Sequence, residues 1–164
     1  MKRENSFLLV LLFGNGLLSA QQLYEYSLDN FDKVVIADEG FETYLYTMDR
    51  LAAQYNLQIK VQGEGFRQAD SPVKAAIVPP SATSNHLVGH AVDVNIVYNG
   101  TWYNSSALGN YSSLPQAIKS FITGCKNAGM RWGGELSTPD PVHFDDGLHL
   151  RNKTQYDTLY LLYQ

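Results

Sequence analysis

The run from Ala91 to Val97 constrains the fold of this sequence more than any other segment. Val92, Val94 and Ile96 alternate with Ala91, Asp93, Asn95 and Val97, and a period of two sends alternate side chains to opposite faces of a strand. The branched residues face a core, so Asp93 stands on the open face. Helical patterns supply the cover. Phe41, Tyr44, Leu45, Met48, Leu51, Ala52 and Tyr55 recur at three- and four-residue steps, which predicts an amphipathic helix over residues 39–55 with Asp38 as its cap. After Asn56 the period changes to two again. Leu57, Ile59 and Val61 alternate with Gln58, Lys60 and Gln62 as in a half-buried strand, which runs into Gly63-Glu64-Gly65-Phe66-Arg67.

Two further helices follow from the same reasoning. Pro115 is expected in the first turn of a helix whose apolar face is Ile118, Phe121, Ile122 and Cys125, ended by Gly129. A last helix, about Thr154 to Tyr163, is expected to start at a capping Thr and to pack Tyr156, Leu159, Tyr160 and Tyr163. Helices mixed with short strands in no βαβ rhythm predict an α+β fold, one domain with a small, mainly antiparallel sheet flanked by helices.

Composition narrows the function. A length of 164 residues suits one domain, whose usual size is roughly 100–200 residues. Twelve Lys+Arg against 16 Asp+Glu, with no basic run, leave out the phosphate attraction that dominates nucleic-acid binding. The 12% aromatic and 17% charged content excludes a disordered chain. A single cysteine, Cys125, excludes an internal disulfide framework and a four-cysteine zinc site. On an apolar helix face it reads as a buried core thiol.

The first 20 residues read as a secretory signal peptide. Lys2 and Arg3 precede the mostly aliphatic stretch Phe7 to Leu18, and Leu18-Ser19-Ala20 resembles a cleavage site. The apolar run is broken by Gly14, Asn15 and Gly16 and is shorter than the about 20 residues that span a bilayer. Residues 21–164 are then the mature domain, secreted or, in a bacterium, periplasmic, and expected to be a monomer without a membrane span. Four Asn-x-Ser/Thr tripeptides occur at Asn99, Asn104, Asn110 and Asn152. Three crowd residues 99–112, which are expected to form a surface loop open to glycosylation.

Chemistry concentrates around the histidines at 86, 90, 143 and 149. Residues 84–93 read SNHLVGHAVD and residues 132–145 read WGGELSTPDPVHFD. Catalytic zinc takes three protein ligands and keeps a fourth position for water, whose pKa falls to about 7. His86 in a Gly-bounded loop, Asp93 on the open strand face and His143 downstream can supply such a set. Hydrolysis also needs a carboxylate that accepts a proton from water and returns it to the leaving amine. Asp140, three residues before His143 in Asp-Pro-Val-His, is favoured over Glu135, which lacks so short a tether to a ligand. His90 is not expected to be a ligand, because Gly89 and the strand after it make a helical His86–His90 pair unfavourable. His149 is read as structural or superficial.

The pattern SxHxxGxAxD, met by Ser84, His86, Gly89, Ala91 and Asp93, combines with the later Trp-Gly-Gly and acid-x-x-His-Phe. Together they resemble the zinc D-alanyl-D-alanine carboxypeptidase family, which includes vancomycin-resistance carboxypeptidases and phage or bacterial L-alanyl-D-glutamate endopeptidases. The likeness extends over about residues 39–150, and the Trp-Gly-Gly form is closest to the endopeptidase branch. It implies one zinc ion on His86, Asp93 and His143, Asp140 as general base, and peptidoglycan stem peptides as substrates. By the same resemblance Gly65-Phe66-Arg67 matches the family's Gly-aromatic-Arg motif, so Arg67 steadies the substrate carboxylate or the oxyanion. Ser84 becomes a substrate-side donor and Trp132 a pocket wall. Gln68-Ala69-Asp70 and Glu135 depart from the family pattern, at the substrate subsite and after the Gly-Gly respectively. The alternative is a non-catalytic zinc-bearing recognition module, since hedgehog signalling domains resemble this fold and keep a His-Asp-His site. A secreted glycoprotein without metal is the third reading.

Overall fold

The structure, a computed structural model, describes residues 3–4, 22–71 and 81–164. The expected signal segment therefore lies almost wholly outside the described residues. A first antiparallel sheet runs in the order β1 (Arg3–Glu4), β2 (Leu23–Tyr26), β3 (Val35–Asp38). The second has the order β4 (Leu57–Gln62), β5 (Ala91–Tyr98), β8 (His143–Asp145), β7 (Arg131–Trp132), with β6 (Thr101–Tyr103) paired to the far end of β5. Isolated parallel bridges at Phe31–Ile59 and Ile36–Gly65 tie the two sheets together. The α+β class read from the sequence is the observed one. Among the described residues no helix is long and apolar enough to cross a membrane.

The helix expected over 39–55 begins as a tight turn at Glu39–Phe41 and continues as α1 (Glu42–Gln54). Asp38 caps it as its position predicts, its Oδ1 accepting the Gly40 N–H at 2.8 Å. Phe41, Leu45, Met48, Leu51 and Ala52 are buried, and Tyr44 and Tyr55 pack beside them. Leu57, Ile59 and Val61 of β4 join them in one core with Val92, Val94 and Ile96 of β5. Across that core lies α3 (Gln116–Asn127), which buries Ile118, Phe121, Ile122 and Cys125. The rings of Phe121 and Phe144 meet edge to face with centroids 6.0 Å apart. Burial pushes the Cys125 thiol up to about 12.

Three boundaries differ from expectation, each for a local reason. Pro115 is not in the first turn of α3 but at its N-cap, with ψ 147, so the chain is still extended there. The last helix is α5 (Lys153–Tyr163), and its cap is Asn152 rather than Thr154, with Asn152 Oδ1 accepting the Gln155 N–H at 3.1 Å. A short α4 (Leu148–Arg151) precedes it, and Asn152, with φ −150, breaks the two apart. Residues 99–112 are not an open loop. They form the β5–β6 hairpin, α2 (Ser105–Gly109) and a tight turn at Tyr111–Ser113. The asparagines that punctuate this stretch have structural work there: Asn99 takes a left-handed φ of 49 in the hairpin turn and Asn104 caps α2.

Candidate metal centre

Strand register builds the centre. Asp93 on β5 and His143 on β8 are direct cross-strand partners, so residues far apart in the chain stand side by side on one face of the sheet. The opposite face carries Val92 and its partner Phe144, both in the core. His86 reaches the same point from the tight turn Asn85–Val88 that precedes β5. Gly89 ends this turn with φ 71, and a Cβ there would lie 2.6 Å from the Asp38 backbone nitrogen. Only glycine lets the turn close against β3 while aiming His86 at Asp93.

The three side chains converge. His143 Nδ1 stands 2.9 Å from Asp93 Oδ1, and His86 Nε2 lies 3.2 Å from both. One ligand atom from each residue lies within 4.8 Å of the others, and these three are half-buried. Each imidazole spends its other nitrogen on a fixed acceptor. His86 Nδ1–H donates to the Gly65 carbonyl at 2.6 Å and His143 Nε2–H to Asp145 Oδ2 at 2.8 Å. That leaves His86 Nε2, His143 Nδ1 and a carboxylate oxygen facing one point, which is the donor chemistry a zinc ion takes. The residues therefore fit the metal that the motifs imply.

The charges agree with this crowding. Burial raises the Asp93 pKa, but the charges and hydrogen bonds of His86 and His143 outweigh it and hold the carboxyl far below the usual range. Burial likewise disfavours charge on His143, yet Asp145 and Asp93 push its pKa up to about 10.

Asp140 stands next to the cluster in a turn closed by Asp140 N–H to Gly133 O at 2.9 Å and His143 N–H to Asp140 O at 3.0 Å. Burial and the charge of Asp93 raise its pKa from the ordinary carboxylate value, against the pull of His143 and His86. Glu135 is elsewhere. It is exposed and pairs with Lys126 at the end of α3.

Arg67 is fastened to the His86 turn by its backbone, donating its N–H to His86 O at 3.0 Å. Arg67 as a residue is half-buried, and its side chain forms no ion pair among the described residues. Ser84 is half-buried at the start of the His86 turn, and its hydroxyl makes no capping bond there. Trp132 is 5% exposed and belongs to the core, with its indole N–H donating to Pro141 O at 2.8 Å. Its link to the site runs through the turn that carries Asp140 and His143, and Tyr111 covers its ring at 5.4 Å.

Of the remaining histidines, His90 is buried in a network of its own between Asp38, at 3.0 Å, and Asp146, at 2.9 Å. His149 is half-buried against Asn85 Oδ1, and burial with the nearby charges of Arg131 and His143 lowers its pKa. Sequence reasoning missed Asp145, Arg131 and the Asp38–His90–Asp146 network. The usable signal was the strand period itself, since Asp145 is two residues beyond His143 and so shares its face.

Two of these donors stand on the sheet and one on the turn before it, with a carboxylate beside them, a set that could hold one metal ion. Residues 79–146 match the family model described as D-alanyl-D-alanine carboxypeptidase. The match covers less than half of the chain but contains His86, Asp93, Asp140 and His143, and it upholds the resemblance read from the motifs. None of the curated proteins matches the chain.

Proposed function

We propose that the protein is a secreted zinc-dependent peptidase that hydrolyses bonds next to D-amino acids in peptidoglycan stem peptides. The observation that carries this is the convergence of His86, Asp93 and His143 beside Asp140, all inside the stretch that matches a peptidase family. D-alanyl-D-alanine carboxypeptidase and L-alanyl-D-glutamate endopeptidase action are both types of this chemistry. His86, Asp93 and His143 would hold the zinc ion. Once bound, zinc supplies a Lewis acid and lowers the pKa of water toward about 7.

The chain's own groups do the rest. Asp140 accepts the proton of the attacking water and returns it to the departing amine, a role that its raised pKa suits. Arg67, held beside the His86 turn, offsets the negative charge that grows on the attacked carbonyl. Ser84, half-buried at the start of the same turn, would hydrogen-bond the substrate. Export by residues 1–20 and glycosylation at Asn99, Asn104, Asn110 and Asn152 belong to the same reading, and all four asparagines are exposed.

The test is mass spectrometry of products from defined muropeptides, with and without a chelator, on wild type and Asp140→Asn. Wild type should release peptide fragments only when metal is present. D140N should keep one equivalent of zinc and lose hydrolysis, by about 100-fold or more if it is the general base. Wild type that binds zinc yet releases nothing would instead identify a recognition module.

A further inference from the structure

Asp145 is placed by the sheet in a way that bears on His143. The two are residues i and i+2 of β8, so their side chains share the face that carries Asp93. Directly across from Asp145 on β7 stands Arg131, its cross-strand partner. The face thus bears a row: Asp93 opposite His143, then Arg131 opposite Asp145.

Each oxygen of the Asp145 carboxylate has its own partner. Oδ1 accepts the Gly147 N–H at 2.6 Å and lies 3.8 Å from Arg131 Nε. Oδ2 accepts from His143 Nε2 at 2.8 Å. Asp145 is almost fully buried, its side chain 4% exposed. Arg131 Nη1 is also buried and has no hydrogen-bond partner among the described residues. The Arg131 side chain is 29% exposed, so it is the buried Nη1 end that lacks a partner, and the adjacent Asp145 carboxylate supplies the charge beside it.

We propose that Asp145, held by Arg131 and the Gly147 amide, is a positioning residue that fixes the ring of His143. It keeps the proton on Nε2 and presents the Nδ1 lone pair to the point shared with His86 and Asp93. This rests on the metal-site reading above. Without Asp145 the ring can rotate about its Cβ–Cγ bond or exchange the proton between nitrogens, and either change removes a ligand atom from the site. Partners of this kind are worth about 10–100-fold in metal affinity.

Zinc affinity of the full chain, measured by competition with a chromophoric chelator, tests this together with nitrogen-15 NMR of the histidine rings. Asp145→Asn keeps the shape but cannot accept from both Gly147 N–H and His143 Nε2–H. It should lose about 10–100-fold in zinc affinity, while Asp157→Asn on the exposed face of α5 should leave affinity unchanged. Arg131→Met should weaken zinc in the same direction by a smaller factor. In zinc-loaded wild type, His143 should show a hydrogen-bonded proton on Nε2, and this reading needs no variant. D145N that binds zinc as tightly as wild type would overturn the inference, as would a zinc-loaded wild type whose His143 coordinates through Nε2. Wild type that binds no zinc at all would fail the metal reading itself and take the inference with it.

Discussion

Gly133 shapes the site by having no side chain. A Cβ at this position would lie 2.1 Å from the Asp140 carbonyl oxygen and 2.8 Å from His143 Cβ, so the turn that carries both residues docks only on glycine. Its neighbour Gly134 is tight for a different reason, with a Cβ meeting the Trp132 ring at 2.3 Å. The Trp-Gly-Gly motif is thus a packing requirement of the turn. Gly133→Ala should destabilise the domain by about 1–3 kcal/mol through overpacking and weaken zinc as well. A urea midpoint equal to that of wild type would contradict this account. Cys125 gives a second expectation at the same scale. It is fully buried, and its thiol is pushed up to about 12, so a thiol reagent should label the protein only after denaturation. Rapid labelling of the folded protein would place that side chain outside the core.

At the scale of elements, the end of α5 acts as a strap across the site's supporting turns. Gln164 Oε1 accepts the Ala69 N–H at 2.5 Å, and its Nε2–H donates to Leu87 O at 2.7 Å. Tyr163 adds a ring contact to Phe66 at 5.9 Å. The segment bearing Arg67 and the turn bearing His86 are therefore tied to one helix end, which steadies both at the cost of ordering a few side chains. Gln164→Ala should speed amide exchange at Ala69 measurably while leaving His86, Asp93 and His143 in place. Unchanged exchange there would show that the strap does not hold the segment. The α3 face is the contrasting case, because it holds by volume rather than by hydrogen bonds. Phe121→Ala removes a ring packed on Phe144 and should cost about 3–5 kcal/mol, read from the denaturant midpoint.

Over the whole molecule, one buried charge network and the proposed metal site link stability to solution conditions. Asp38, His90 and Asp146 are each at most 3% exposed, and Arg151 and Tyr163 complete their hydrogen bonds. Burial lowers the His90 pKa, but its bonds to Asp146 and Asp38 outweigh burial and raise it. A raised folded value means that protonated His90 favours the native state. Its contribution is full below the unfolded value of about 6.5 and fades as pH rises through the folded value. Wild type should therefore exceed His90→Gln in melting temperature most at or below about pH 6, with the gap narrowing at alkaline pH. A gap that widens with pH would reverse the assigned charge state. Under the proposed function zinc would act separately, by binding the native state. At 100 times its Kd it should add about 2.7 kcal/mol, which a chelator removes. The sequence by itself determined what depends on near neighbours: the alternation of β4 and β5, the apolar faces of α1 and α3, the Asp38 cap, and the residue types at 86, 93, 140 and 143. Those are set by periods of two and 3.6 and by hydrogen bonds within a few residues. Tertiary structure alone decided which strands lie side by side. The pairing of Arg131 with Asp145 follows from that register, while the docking of the Asp140 turn on Gly133 and the enclosure of His90 between Asp38 and Asp146 follow from how the turns pack against the sheets. Register between strands distant in the chain is fixed by packing and ladder hydrogen bonds that no single stretch of sequence contains.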